Sequence, residues 1–328
     1  MRVLVTGGGG FLGKEIIRQL LNEDCEIRSL SRSDYPELRN WGVHHIQGDI
    51  TNIEDCVRAC EDVDIVIHAA ALASMWGRYE TFFNINFTGT KNLLEASVSQ
   101  NVDYFIYTSS PSAIFGNQDI ENADESIEYP RKFYSYYAQT KAFAERLVLG
   151  MNNKRIKTLA LRPHIIWGKG DPHLVPRLVQ RHRQGRFKQI GSGQNQVDIV
   201  HVKNAAYAHI LAMKQLINGH NGGEAYFIGQ GPVNLWNFVN LIFNQLGLPP
   251  LKSKISFKLA YVLGAFFELI YRSLNIYKSE PPMTRFVAMQ LGKSHYFKHD
   301  KAERELGYQP IVSIEEGLKE LTLDDFVS

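Results

Sequence analysis

The segment RVLVTGGGGFLGKEIIRQLL, residues 2–21, decides the fold. RVLVT (2–6) is a short apolar run of the kind that forms a buried strand. Beyond the glycines, Ile16, Leu20 and Leu21 recur at helical spacing over residues 10–23. A glycine run between a strand and a helix is the setting of a dinucleotide site. The glycines let the backbone turn tightly and approach a pyrophosphate, and the helix N-terminus supplies free N–H groups and positive dipole. TGGGGFLG satisfies two spacings, Gly7-x-x-Gly10-x-x-Gly13 and Gly8-x-Gly10-x-x-Gly13, and both contain Gly10 and Gly13. A flexible turn is the competing reading; the strand and helix on either side weigh against it.

Outward from this segment the pattern repeats. Strands are expected at 25–30, 43–50, 63–71, 103–110 and 158–163, and helices near 52–61, 85–100 and after residue 135. Such alternation predicts a Rossmann-type, doubly wound parallel sheet with helices on both faces, an α/β fold. After Pro163 the chain becomes loop-rich, and AYFIG (225–229) reads as a strand returning to the sheet. The expected division is a dinucleotide-binding domain over 1–165 and a smaller, interwoven C-terminal substrate lobe over 166–328.

Composition narrows the function. The 328 residues carry 36 basic and 34 acidic side chains, a net charge of +2, which gives no electrostatic case for nucleic acid, whose binding would need a basic stripe. Cys25, Cys56 and Cys60 lack metal-type spacing, so no metal site is expected; they read as thiols of a reducing cytoplasm. Since the fold begins at residue 2, no signal peptide is expected.

FYSYYAQTK (133–141) offers three tyrosines and one lysine. On a helix, residues four apart share a face, and only Tyr137 has that relation to Lys141. Tyr134 and Tyr136 read as packing or rim residues. A phenol is protonated at neutral pH and suits proton donation to an alkoxide; a nearby ammonium favours the phenolate needed for the reverse reaction.

Together, Thr6-Gly7-x-x-Gly10-x-x-Gly13, Gly48-Asp49, His68-x-Ala70-Ala71, Asn86-x-x-Gly89-Thr90, Thr108-Ser109-Ser110, Tyr137-x-x-x-Lys141 and Arg162-Pro163 resemble the extended short-chain dehydrogenase/reductase pattern, in order. DKAERELGYQP (300–310) resembles that family's ending. TSSPSAIF (108–115), ALRPHIIWGKGDPHLVPRL (160–178), PPMTRF (281–286) and SHYF (294–297) are similar to its 3β-hydroxysteroid dehydrogenase-like branch, which includes sterol-4α-carboxylate 3-dehydrogenases and, nearer by WGRYE (76–80), bacterial 2-alkyl-3-oxoalkanoate reductases.

The resemblance implies an NAD(P)-dependent oxidoreductase that interconverts 3-oxo and 3-hydroxy groups on a lipid-like molecule. The first expectation is NADPH-dependent reduction of a long-chain 2-alkyl-3-oxoalkanoate. The alternatives are a 3β-hydroxysteroid or sterol-4-carboxylate dehydrogenase, a nucleotide-sugar epimerase, and a non-catalytic NAD(P)-binding scaffold. It also implies that Tyr137 is the acid/base, that Lys141 binds the nicotinamide ribose, and that Ser110, with Ser112 as alternative, holds the substrate oxygen. Gly7, Gly10, Phe11, Leu12 and Gly13 would cradle pyrophosphate. Asp49 and Ile50 would meet adenine, Ala69, Ala70 and Ala71 would line the cofactor, and Pro163 would face the carboxamide. Asn86 is expected to fix local backbone, Arg162 to support the fold and Asp171 to make a turn, while His164 and His173 sit in a loop near the nicotinamide. A homodimer is a further implication.

Three expectations concern specificity. Strand 25–30 ends without an acid to hold a ribose 2′-hydroxyl, and Ser31-Arg32 follows, which points to NADP over NAD through Arg32. A substrate carboxylate needs a cation, for which Arg78 is the first candidate and Arg285 the second. The stretch 255–274, with Lys258, Glu268 and Arg272 on one narrow stripe, reads as a core helix or as a lid or peripheral membrane helix.

Overall fold

The computed structural model describes residues 1–326. Seven parallel strands make the central sheet: β1 (Arg2–Thr6), β2 (Glu26–Ser31), β3 (His44–Gln47), β4 (Ile65–His68), β5 (Tyr104–Thr108), β6 (Lys157–Pro163) and β7 (Glu224–Ile228). Their order is 3-2-1-4-5-6-7, the expected doubly wound topology, and it reverses between β1 and β4. At that reversal the connections leaving β1 and β4 pass to opposite faces of the sheet, which opens a crevice at its carboxyl edge.

The helices used below are α1 (Phe11–Leu20), α2 (Ile53–Cys60), α3 (Gly89–Ser99), α4 (Tyr136–Gly150), α5 (Val202–Ile217), α6 (Phe257–Ser273) and α7 (Arg285–Gly292). Alternate strand residues explain why the strands read as unbroken apolar runs. Val3, Val5, Ile65, Ile67 and Leu161 pack with α1 and α5. Leu4, Val66, Phe105 and Ala160 pack with α2, α3 and α4 on the other face. A strand covered on both sides has no polar face to show. Cys56 and Cys60 lie in that second layer, where burial pushes their thiols up to about 12 and about 11.

A four-stranded sheet carries the smaller lobe, in the order Pro232–Asn234, Gln196–Asp198, His295–Phe297, Ile120–Ala123. One of its strands precedes α4 and another follows α7. Phe227 of β7 stacks on Phe297 at 4.1 Å between centroids, which joins this sheet to the central one.

Three strands end two or three residues earlier than expected: 43–50 stops at Gln47, 63–71 at His68 and 103–110 at Thr108. Gly48–Ile50 and Ala69–Ala71 leave the sheet at its carboxyl edge, where strand pairing would block access to the crevice. α3 is preceded by a π-helical turn over Phe83–Thr88 that holds the buried Asn86.

The orientation of α6 differs from its sequence stripe. Ala260, Gly264 and Glu268 face inward, and Gly264 lets the helix approach the Thr284–Arg285 backbone, where an added Cβ would lie 2.6 Å from Thr284 C. Glu268 is buried because Arg285 clasps it, donating from Nε at 2.9 Å and Nη2 at 2.6 Å to one carboxylate oxygen. Leu259, Val262, Phe266 and Leu269 face outward, 51–67% exposed, so the helix is neither a buried core helix nor conventionally amphipathic. Among the described residues, no helix is long and apolar enough to cross a membrane.

Candidate active site

The crevice between β1 and β4 is lined by the glycine loop. Gly7 adopts φ +69°, and a Cβ there would lie 2.9 Å from Ala70 Cα, so the ends of β1 and β4 touch backbone to backbone. Gly13 seats α1 against the loop, since a Cβ on it would fall 2.1 Å from the Gly7 carbonyl oxygen. Gly8 packs against Ser29, and the Tyr35 ring covers Gly9. α1 begins after Gly10 without a side-chain cap and without an acid in its first turn. Such a terminus leaves N–H groups available to an anion.

A directional hydrogen-bond chain crosses the same point. Ala70 N–H donates to Thr6 Oγ1 at 3.3 Å, and Thr6 Oγ1 lies 2.6 Å from His68 Nδ1. His68 Nε2 lies 2.9 Å from Thr90 Oγ1, which donates its own proton to the Asn86 carbonyl at 2.7 Å. Each hydroxyl has one proton, so His68 donates through Nε2 and accepts at Nδ1. Burial, helped by Lys141, lowers its pKa to about 3 and keeps it neutral. The Asn86 side chain holds both backbone groups of Leu72, at 2.7 and 3.2 Å, and so fixes the loop after β4.

Tyr137 and Lys141 stand one turn apart on α4, whose first helical residue is Tyr136. Lys141 is 2% exposed. Its Nζ donates to the Thr108 carbonyl at the end of β5, at 2.5 Å, and lies 4.1 Å from the Tyr107 ring centroid. Burial lowers the Lys141 pKa to about 7, against the pull of Glu145 one turn further on. The Tyr137 phenol is raised by burial and drawn back by the Ser110 side chain. Ser112, in the short helix Pro111–Ile114, donates its backbone N–H to Ser110 Oγ at 3.1 Å. Of the two candidate serines, Ser110 is the one whose side chain bears on the Tyr137 phenol's acidity.

Behind this pair sits a buried clamp that the motifs did not reveal. Arg162 of β6 donates from Nε at 2.9 Å and Nη2 at 2.7 Å to Glu145, and Tyr129 donates to the same carboxylate at 2.6 Å. Burial alone would raise the Glu145 pKa; Arg162 holds it below its ordinary value. The clamp fixes α4 against β6 and supplies the negative charge nearest Lys141. Thr108 is tied through its hydroxyl to His209 Nε2 at 2.8 Å, which steadies the strand end that receives the ammonium.

The other expected residues fall at distinct places. Asp49 Oδ1 accepts from Thr51 N at 2.9 Å, and Ile50 packs beneath Gly89. Arg32 is exposed just past β2, and the nearby Asp34 is held by Arg39 at 2.9 Å. His164 leaves the loop to meet His295, Nε2 to Nδ1 at 2.6 Å, while Asp171 accepts from the backbone N–H of His173, Leu174 and Val175 and starts the following helix. Arg285 is committed to Glu268, which removes it as a free carboxylate partner. Arg78 is exposed, with its guanidinium 5.0 Å from the Tyr277 ring centroid.

These features fit a dinucleotide. The loop backbone can be approached only because its Cβ atoms are missing, the α1 terminus is uncapped, and small residues line the end of β4. A nicotinamide cofactor bound there supplies the hydride. The chain's own residues would hold its phosphates along Gly7–Gly13, its ribose through Tyr137 and Lys141, and the reacting oxygen through Ser110 and Tyr137.

The lowered pKa of Lys141 has a signed consequence. Between pH 7 and its ordinary value of 10.5, the unfolded chain carries a proton on this lysine that the folded chain has released. Stability therefore rises with pH across that window, by at most about 1.4 kcal/mol per pH unit, and the full penalty persists below pH 7. Relative to Lys141→Met, the wild type should gain urea resistance steadily from pH 7 to pH 10. Parallel midpoint curves for the two proteins would show that this lysine is not depressed.

The geometry agrees with the relatives that the chain matches. Residues 4–259 fit the model of the 3-beta hydroxysteroid dehydrogenase/isomerase family. The chain is 42% identical to the 2-alkyl-3-oxoalkanoate reductase of Stenotrophomonas maltophilia, across 98% of both sequences. It is 34% identical to the decarboxylating sterol-4-alpha-carboxylate 3-dehydrogenase of Mus musculus, over 98% of this chain and 90% of that one. The crystal structure of gox2253 superposes with a TM-score of 0.79 at 27% identity, covering 97% of this chain and 96% of the other. With its glycine cradle at the sheet reversal and its Tyr137–Lys141 pair beside Ser110, the chain belongs to the 3-beta hydroxysteroid dehydrogenase/isomerase family of short-chain dehydrogenase/reductases.

Proposed function

We propose that this chain is an NAD(P)-dependent oxidoreductase that reduces the 3-oxo group of a long-chain 2-alkyl-3-oxoalkanoate to a 3-hydroxy group, as a homodimer and with NADPH. The observation that carries this reading is the Ser110–Tyr137–Lys141 group in a chain 42% identical, end to end, to a reductase of that name. The raised Tyr137 pKa keeps on the phenol the proton that a newly formed alkoxide must receive, as reduction requires, while the supply of reduced cofactor sets the direction. Oxidation of a 4-carboxysterol is the second reading, favoured by the 34% identical sterol dehydrogenase; both substrates carry oxygen β to a carboxylate. Purified protein with NADPH and a panel of 3-oxo acids, 3-oxosteroids and nucleotide sugars, followed by mass spectrometry, should yield the 3-hydroxy acid. Tyr137→Phe should lower turnover by about 10²-fold or more, and Tyr136→Phe, which keeps its ring, should have little effect. Equal losses in both would sink the acid/base role.

For the cofactor, the absence of an acid at the end of β2 and the engagement of Asp34 by Arg39 favour a 2′-phosphate near Arg32. Arg32→Ala should weaken NADPH binding about ten- to a hundredfold and leave NADH binding nearly unchanged, as read by nicotinamide fluorescence. Wild-type protein that binds both reduced cofactors equally would contradict the preference.

The outward face of α6 supports a peripheral contact with an anionic membrane surface, where a lipid-like substrate would be met. Leu259, Val262, Phe266 and Leu269 form an exposed apolar row, and Lys252, Lys254, Lys258 and Lys278 flank it. The single acid in 251–279, Glu268, is turned inward. Apolar insertion with a lysine rim suits anionic headgroups, whereas a second copy docked on this face would bring lysines against lysines. The protein should float with phosphatidylglycerol-containing vesicles and lose that flotation with Phe266→Asp. Protein that stays at the bottom of the gradient with anionic and neutral vesicles alike would remove the membrane contact.

A further inference from the structure

The loop after β4, the start of α4 and the end of α6 meet in a ladder that alternates guanidinium groups and aromatic rings. The Arg78 guanidinium lies 5.0 Å from the Tyr277 ring centroid, and Tyr277 stacks on Trp76 at 6.0 Å with an interplanar angle of 17°. The Arg272 guanidinium lies 5.6 Å from the centroids of both Trp76 and Tyr136, and Tyr79 packs edge-on against Tyr136 at 5.3 Å. The assembly is held in place, since Trp76 is buried and its indole N–H donates to the Ile276 carbonyl at 2.8 Å.

The acids nearest Arg272 in sequence are already occupied. Glu268 is clasped by Arg285, and Glu280 accepts from Arg177 at 2.7 Å and Ser74 at 3.3 Å. Among the described residues, neither Arg272 nor Arg78 has a carboxylate within 4.0 Å, although both sit among rings on which an apolar chain can lie. Stacking on a ring engages the face of a guanidinium and leaves its in-plane N–H groups free. The surrounding rings also limit the freedom of the side chain, so less is lost when it closes on a carboxylate.

Resting on the reductase reading above, we propose that this ladder is the acid-binding wall of the substrate site. Arg272 takes the carboxylate, and the Trp76 and Tyr136 rings flank the adjoining carbon chain. Arg272, an exposed residue at the end of α6, stands further along the ladder than Arg78, with its guanidinium 5.6 Å from the ring centroid of Tyr136, the residue that immediately precedes Tyr137. The carboxyl carbon of a 3-oxo acid is only one carbon removed from its ketone, so the cation must stand close to the proton donor. Arg78, at the outer end of the ladder, serves the approach of the anion rather than its final position. The same wall would take a 4-carboxysterol, whose carboxylate bears the same relation to the reacting oxygen.

The test compares a 2-alkyl-3-oxo acid with its methyl ester in wild type, Arg272→Gln and Arg272→Lys, with turnover of the ester reporting that each variant is folded. In Arg272→Gln the ratio of kcat/KM for acid over ester should fall about ten- to a hundredfold, chiefly through KM for the acid, as the loss of a charge-assisted bond requires. Arg272→Lys should recover part of that ratio, since it keeps the charge and loses the stacked fork. Binding of the 3-hydroxy acid, followed by calorimetry, should weaken in Arg272→Gln by a similar factor. An unchanged acid-to-ester ratio and unchanged acid binding would overturn the role of Arg272 while leaving the reductase reading intact. Wild type that turns over and binds neither acid nor ester would overturn both.

Discussion

A buried lysine is the constraint around which this site is built. Lys141 sits buried beneath the crevice, where on the proposed reading it would reach the ribose of a dinucleotide, and burial there favours its neutral form. Thr108 gives it a carbonyl, the Tyr107 ring gives it a negative face, and Glu145 gives it charge one helical turn away. Each of these groups needs support of its own. Arg162 keeps Glu145 ionised, and His209 anchors Thr108. His68, drawn neutral by burial and by the same lysine, accepts at one nitrogen and donates at the other, stitching β1, β4 and the turn before α3 together.

Much of this was legible in the sequence because it depends on local spacing. The glycine positions, the four-residue interval from Tyr137 to Lys141 and the strand–helix alternation are set within a few residues of one another, and the central sheet follows them. What could not be read depends on distant partners. Nothing near Glu268 says that it turns inward; Arg285, 17 residues later, decides that and at the same time is lost as a free cation. Arg272 looked like part of a polar stripe until Trp76 and Tyr136 were brought beside it from elements nearly two hundred and well over one hundred residues earlier. The end of β4 was read too long because the apolar run continues through Ala69–Ala71, past the point where the chain must leave the sheet, and β3 was carried through Gly48-Asp49 to the apolar Ile50.

Charge is distributed with the same economy. The formal total of +2 gives no hint that Arg78 and Arg272 come together where the end of α6 meets the loop after β4, while Glu268 and Glu280 are each locked to another arginine. The outward face of α6 is apolar, and its C-terminal end is wired into the loop that Asn86 fixes beside the crevice.

The small sheet has a consequence for the order in which the molecule can assemble. Its strand Ile120–Ala123 pairs with His295–Phe297, so a segment made in the first half of the chain waits about 170 residues for its neighbour. Closing so long a loop costs entropy before any contact repays it, and such pairings form late. During synthesis, β1–β5 and their helices can collect as a layered core, while Phe115 and Ile120 stay without the Phe286 and Phe297 side chains that cover them. The lobe that would choose the substrate is thus the last part to close, and a ribosome-bound chain short of residue 295 would present a bare apolar edge to chaperones.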